Sequence, residues 1–156
     1  AVCLRCVYTI VLSKMRVYDV GCGSGILAIA ASKLGAGEVI AMDDDPVAVT
    51  VAEENIHANH VGNVAVIESD LLSVCAGLEP AELITANIVA DIIIRLFDQL
   101  DAHLAPGGVL LASGIIEDRI ADVERAAAEH GYAVLDMTCE KEWAAMIIRR
   151  RTEAGL

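Results

Sequence analysis

The sequence predicts an α/β fold in which a doubly wound, mostly parallel sheet is covered by helices on both faces. Three observations carry that prediction. Ala, Val, Ile and Leu dominate a hydrophobic content of 56%, while aromatics make up 3%, a composition suited to strands buried beneath Ala-rich helices. Short apolar runs alternate with longer amphipathic segments, as successive βαβ units require. The first clear run, moreover, ends in a glycine-rich turn that opens a helix. The 156 residues are read as a single domain over 1–156, long enough to bury a core without disulfide or metal staples.

Taken in order, residues 1–12 read as the end of a helix. Arg16 to Val20 is a short buried strand that stops at glycine, and Gly21 to Gly25 is the turn. Helical spacing runs from Ile26 to Leu34, and Gly35-Ala36-Gly37 stops it. A second strand, Glu38 to Met42, closes on three aspartates. Asp45 is a good N-cap with Pro46 at the first helical position, which predicts a helix from Pro46 to about Asn59. Val64 to Ile67 is the third strand and Leu83 to Ala86 the fourth, ending at Asn87. Ala90 to His103 is helical. Pro106-Gly107-Gly108 is a turn into the strand Val109 to Ala112, and a helix follows from about Glu117 to His130. The last strands, Ala133 to Met137 and Trp143 to Ile148, are separated only by residues 138–142. That is too short for a parallel crossover, so they pair as an antiparallel hairpin at the edge of the sheet.

Charge and cysteine usage narrow the function classes. Eleven Lys+Arg against 23 Asp+Glu give −12 at pH 7, the opposite of the basic footprint a general nucleic-acid binder needs. No run approaches the roughly 18 apolar residues of a spanning helix, so no membrane role is expected. Cys3, Cys6, Cys22, Cys75 and Cys139 are odd in number and scattered, unlike a secreted disulfide framework. The C-x-x-C of Cys3 and Cys6 has no second Cys/His pair at zinc spacing. With no basic leader in Ala1 to Cys6, the expectation is a reducing cytoplasm and no metal.

The chemistry-bearing pattern is Asp19-x-Gly21-x-Gly23-x-Gly25 between a strand and a helix. Glycines let the backbone bend tightly and present N–H groups to a ligand at the positive end of the following helix. The pattern departs from the G-x-G-x-x-G of dinucleotide enzymes, because the position of the third glycine is Ile26. Asp43, at the end of the second strand, stands where a carboxylate accepts hydrogen bonds from two ribose hydroxyls. Asp45 is accounted for as a cap, and Asp44 as a solvated side chain. Asp70 suits either an adenine amino group, with Leu71 flanking the ring, or a loop-capping role. Asn87 ends the fourth strand in the crevice where open α/β sheets bind ligands. Its carboxamide can orient an amine toward an electrophilic methyl group, cap the next helix, or do both. The histidines, His57, His60, His103 and His130, lie at predicted helix ends and read as surface or capping residues.

Together, VYDVGCGSGILAIAASKLGA, VIAMDDDPVAV, ITANIVADIII, APGGVLLASGI and EKEWAAMIIRR closely resemble the catalytic domain of PrmA-type ribosomal protein methyltransferases, over roughly residues 15–150. The resemblance implies a Rossmann-like class I methyltransferase fold, with a seven-stranded sheet ordered 3-2-1-4-5-7-6. It implies S-adenosyl-L-methionine as cofactor and amino groups of ribosomal protein L11, lysine side chains included, as substrate. Residue by residue, it implies that Gly21 contacts the methionine part of the cofactor, that Gly23 and Asp19 shape the turn, that Asp43 holds the ribose, and that Asn87 lies beside the transferable methyl. Residues 1–12 resemble a helix that follows a threonine-containing closing segment. That segment, and the family's N-terminal recognition domain, are expected outside these 156 residues. Asn87-Ile88-Val89-Ala90 lacks the proline pair and aromatic of the N-P-P-Y type that holds a nucleobase flat, which favours a flexible amine chain. Trp143 reads as edge-strand packing or as an active-site wall. The alternatives are a class I methyltransferase of another protein or small metabolite, and a truncated, non-catalytic cofactor-binding domain.

Overall fold

The computed structural model describes residues 2–11 and 13–152. Its elements run α1 (Val2–Ile10), β1 (Arg16–Val20), α2 (Ile26–Lys33), β2 (Glu38–Asp43), α3 (Pro46–Ala58), β3 (Val64–Glu68), β4 (Ala81–Asn87), α4 (Ala90–His103), β5 (Leu104–Ile116), α5 (Ile120–Glu129), β6 (Tyr132–Glu140) and β7 (Trp143–Arg150). Single 3₁₀ turns lie at Ser73–Cys75 and Glu117–Arg119. Of the expected first helix, Ala1 and Leu12 lie outside the described residues, as do residues 153–156 of the expected domain. The seven strands form one sheet in the order β3-β2-β1-β4-β5-β7-β6. β1 to β5 are parallel, and β7 runs antiparallel to both β5 and β6.

Strand periodicity divides the core into two layers. Tyr18, Val20, Ile84 and Leu110 meet Ile93, Leu96, Phe97 and Leu100 of α4 and Val123 of α5. Val17, Val39, Leu83 and Leu111 meet Cys3 and Val7 of α1, Leu27, Ala28 and Ala31 of α2, and Ala52 of α3. Alternation carries the second face onward from Val17 to Asp19, from Leu83 to Thr85 and Asn87, and from Leu111 to Ser113. A polar row therefore develops at the carboxyl end of an otherwise apolar layer.

Three boundaries differ from the sequence reading. Pro106-Gly107-Gly108 is an irregularity inside β5. Ala81 pairs with Leu104 and Leu83 already pairs with Val109, so several β5 residues loop out opposite one β4 residue. Gly108 has no room for a side chain there, since a Cβ would stand 2.8 Å from the Ala105 carbonyl oxygen. The helix expected from Glu117 opens instead as a 3₁₀ turn, with α5 proper beginning at Ile120, and no side chain caps either start. The hairpin strands extend until Glu140 faces Trp143, leaving a two-residue turn in which Lys141 has φ 57°, the positive φ that tight hairpins use. β6 holds the edge, and β7 lies inside it.

The start of α3 is as expected: Pro46 is at the first position, and the Asp45 carboxylate accepts from the Val47 amide at 2.9 Å. Asp45→Ala is expected to lower the unfolding free energy by about 1 kcal/mol, read by urea denaturation. An unchanged midpoint would mean that Pro46 alone sets the helix start.

Candidate active site

The site is built on the carboxyl ends of β1, β2 and β4, on either side of the point where strand order reverses about β1. Gly21 leaves β1 at φ 67°, a conformation that glycine adopts without strain. A Cβ at this position would collide with Ile88 Cγ2, so the missing side chain is also what lets the β4 end pack against the turn. The Cys22 amide donates to the Met42 carbonyl at 2.9 Å, and Asn55 of α3 donates to the Ser24 carbonyl at 2.8 Å. Gly25 occupies the α2 N-cap without a side-chain cap.

Asp43 does more than the sequence suggests. Its Oδ2 accepts from the Gly23 amide and its Oδ1 from the Asp45 amide, both at 3.0 Å. One carboxylate thus ties the glycine turn to the start of α3, while each oxygen keeps a further lone pair for a ligand. With Val20, Gly21, Asp44, Ser69, Asp70, Leu71, Ile88, Ile92 and Arg95 it lines a cavity of about 160 Å³. Asp44, expected to be merely solvated, is on that wall. Arg95 has no local sequence signal, because it reads as an exposed helix residue and reaches the wall only through the packing of α4.

Asp70 keeps its expected place, and its carboxylate faces the Arg95 guanidinium at 3.4 Å. The loop-capping task falls instead to Ser69, whose hydroxyl accepts from the Val74 amide and donates to the Leu71 carbonyl, both at 3.1 Å.

Asp19 lies beneath the turn and is fully buried. Its Oδ1 accepts from the Thr85 hydroxyl at 2.7 Å, while Oδ2 has no hydrogen-bond partner among the described residues. Burial pushes its pKa up to about 7; the Thr85 hydroxyl and the nearby Ala28 amide pull it down, and the Asp43 charge adds to the rise. Because the folded-state pKa stands above the unfolded value of about 3.9, the folded chain holds the extra proton in this window. The group's contribution to stability is full below about pH 4 and is lost as pH rises to about 7. Asp19→Asn is expected to flatten that part of the stability profile, measured by denaturation at several pH values. An unaltered slope would contradict the assignment.

Asn87 ends β4 and does not cap α4, whose N-cap is Val89 with no side-chain cap. It lines a second cavity of about 370 Å³ with Val2, Cys3, Ser113, Gly114, Glu140, Lys141, Trp143 and Ala144. Asn87 and Ile88 therefore stand between two cavities, Ile88 on the wall of the smaller and Asn87 on that of the larger. Trp143, 46% exposed, is a wall of the larger cavity, with β6 outside it. The histidines lie on neither wall. His130 accounts for itself at the end of α5, bonding the Ala126 carbonyl at 2.7 Å and Asp98 at 2.9 Å.

Strand order, glycine turn and acidic strand end together define the class I methyltransferase fold, and comparison with known proteins agrees. The model of the family described as ribosomal protein L11 methyltransferase (PrmA) matches residues 1–151. The chain is 47% identical over 150 residues to the ribosomal protein L11 methyltransferase of Heliobacterium modesticaldum, covering 95% of this chain and 46% of that one. It is 46% identical over 149 residues to that of Caldanaerobacter subterraneus, covering 96% and 47%. A crystal structure of ribosomal protein L11 methylase from Lactobacillus delbrueckii superposes with a TM-score of 0.89 at 36% identity, covering 96% of this chain and 78% of that one. A 16S rRNA methyltransferase from T. thermophilus, in complex with AdoMet and guanosine, shares the fold at a TM-score of 0.79 and 19% identity, over 96% of this chain and 42% of that one. The chain belongs to the ribosomal protein L11 methyltransferase family. It spans about half the length of the curated relatives it matches.

Proposed function

We propose that this chain is the catalytic domain of an S-adenosyl-L-methionine-dependent N-methyltransferase that modifies amino groups, lysine side chains included, of ribosomal protein L11. The observation that carries the reading is the position of Asn87 and Ile88 between two cavities, one with a free-edged carboxylate and a glycine turn, the other open to an incoming chain. Family membership supplies the substrate class.

The residues of the smaller cavity suit the cofactor. Asp43 retains acceptor capacity for a vicinal diol, Asp70 for an amino group, and Leu71, Ile88 and Ile92 offer apolar surface for a flat ring. Gly21 lets Ile88 of the cavity wall close against the turn, and Gly23 and Asp19 hold its shape. When bound, S-adenosyl-L-methionine supplies a methyl group on a positively charged sulfur.

The larger cavity receives the amine. A lysine titrates near pH ~10.4 in water, and its lone pair is available only after the proton is lost. Partial desolvation among Val2, Trp143 and Ala144 favours the neutral form. The Asn87 carboxamide oxygen then accepts an N–H of that amine and turns its lone pair toward the smaller cavity. Holding the reactants in line supplies much of the acceleration.

Residues 1–156 are read as one catalytic domain, with substrate recognition assigned to the half of the relatives' length that this chain does not span. No helix among the described residues is long and apolar enough to cross a membrane. All five cysteines are free, in keeping with a reducing cytoplasm. The test is calorimetric titration of the full-length protein with S-adenosyl-L-methionine, then transfer of a labelled methyl group to purified L11, total ribosomal RNA and a metabolite extract. Label on L11 lysines is expected. Label confined to RNA or to a metabolite, or failure to bind the cofactor, would overturn the reading.

A further inference from the structure

We propose that Ser113 is a positioning residue for methyl transfer, acting through Asn87 by fixing the orientation of its carboxamide. The inference rests on the proposed role of Asn87.

Ser113 is one of four buried polar residues among those described, 3% exposed, and it lies directly opposite Asn87 in the β4–β5 register. Its hydroxyl donates to Asn87 Oδ1 at 3.0 Å, and its carbonyl accepts from the Ile88 amide at 3.1 Å. Side chain and backbone of this one residue thus hold both members of the pair that separates the cavities.

The neighbouring backbone is shaped for this contact. Gly114 has φ 79°, and a Cβ there would stand 3.0 Å from both Asn87 Oδ1 and the Ile88 carbonyl oxygen. The β5–β7 register shifts between Ser113 and Ile115, so β5 bulges just where it meets Asn87. The buried Cys3 of α1 lines the same cavity as Ser113 and Asn87.

The chemical consequence concerns the two ends of a carboxamide. A free asparagine can present either its oxygen or its NH₂ group to a ligand by a half-turn about its last torsion. An NH₂ group aimed at the amine would donate toward the lone pair needed for transfer. The hydroxyl bond pins one lone pair of Oδ1 and leaves the other as the acceptor for the substrate N–H. In the observed arrangement the hydroxyl donates to Oδ1, and that orientation is the one proposed to meet the incoming chain. Nothing in the local sequence around Asn87 encodes this, since the two residues are 26 apart.

In the full-length protein, Ser113→Ala is expected to lower kcat for L11 methylation about tenfold, the scale of one lost hydrogen bond. KM for L11 and the calorimetric affinity for S-adenosyl-L-methionine should stay within about twofold. Ser113→Thr, which keeps the hydroxyl, should recover most of the rate. The Asn87 side-chain NH₂ signals in a ¹⁵N correlation spectrum should move in Ser113→Ala and return in Ser113→Thr. A double-mutant cycle supplies the decisive comparison: added to Asn87→Ala, Ser113→Ala should cost nothing further. A Ser113→Ala enzyme as fast as the parent, or a full additional loss in the Asn87→Ala background, would overturn the proposal. If Asn87→Ala itself keeps normal turnover, it is the role of Asn87 that fails.

Discussion

Asn87→Ala in the full-length protein is expected to slow methyl transfer to L11 about 100-fold, the scale of misplacing a reactant held for in-line attack, while cofactor affinity changes little. The asymmetry follows from the geometry. Asn87 lines the larger cavity and not the smaller one, so its loss removes the acceptor proposed for the amine and leaves the walls around Asp43 intact. It caps no helix, so the stability penalty is that of the bond from the buried Ser113 hydroxyl, about 1 kcal/mol or somewhat more. Single-turnover rates with bound cofactor measure the effect directly. A variant with normal single-turnover rates would remove Asn87 from the reaction, however well the rest of the site survived.

Asp43→Ala is expected to weaken S-adenosyl-L-methionine binding by about 1.5–3 kcal/mol, the range for hydrogen bonds to a charged group, or roughly 10- to 150-fold in Kd. Two causes contribute. The proposed bonds to the ribose hydroxyls are lost, and so are the acceptors for the Gly23 and Asp45 amides, which loosens the turn and the α3 start together. Thermal unfolding separates them: a lost ligand bond leaves the apo protein's midpoint unchanged, whereas a loosened turn lowers it. Calorimetry showing parental affinity would dismiss Asp43 as a ligand altogether. Deoxyadenosyl analogues of the cofactor should lose affinity for the parent protein and much less for the variant, as a shared interaction requires.

Much of the candidate site was legible because its signals are local. The glycine turn, the aspartate at the end of β2 and the asparagine at the end of β4 are each defined by a few consecutive residues and by the switch from strand to helix periodicity. The illegible parts are contacts between distant segments. Ser69, not Asp70, caps its loop because the 3₁₀ turn at Ser73–Cys75 folds back over it. Arg95 reaches the cavity only through the placement of α4, and the irregularity at Pro106-Gly107-Gly108 is visible only against β4. The final hairpin, by contrast, lies at the sheet edge in the expected order, with β6 outermost and β7, carrying Trp143, between it and β5.

The sequence by itself determined the succession of βα units, the caps and turns that bound them, and the residue types at the strand ends. These depend on periodicity and on backbone preferences that act over a few residues. The resemblance of its motifs to a known family supplied the strand order, which periodicity alone does not encode. Tertiary structure decided what those strand-end residues do to one another: Asp43 secures Gly23 across 20 residues, Ile88 fills the space left by Gly21, and Ser113 holds Asn87 across β4 and β5. The physical reason is register. Hydrogen bonds and close contacts of this kind exist only once neighbouring strands have paired in one alignment, and a shift of a single residue would turn each of these side chains to the opposite face of the sheet.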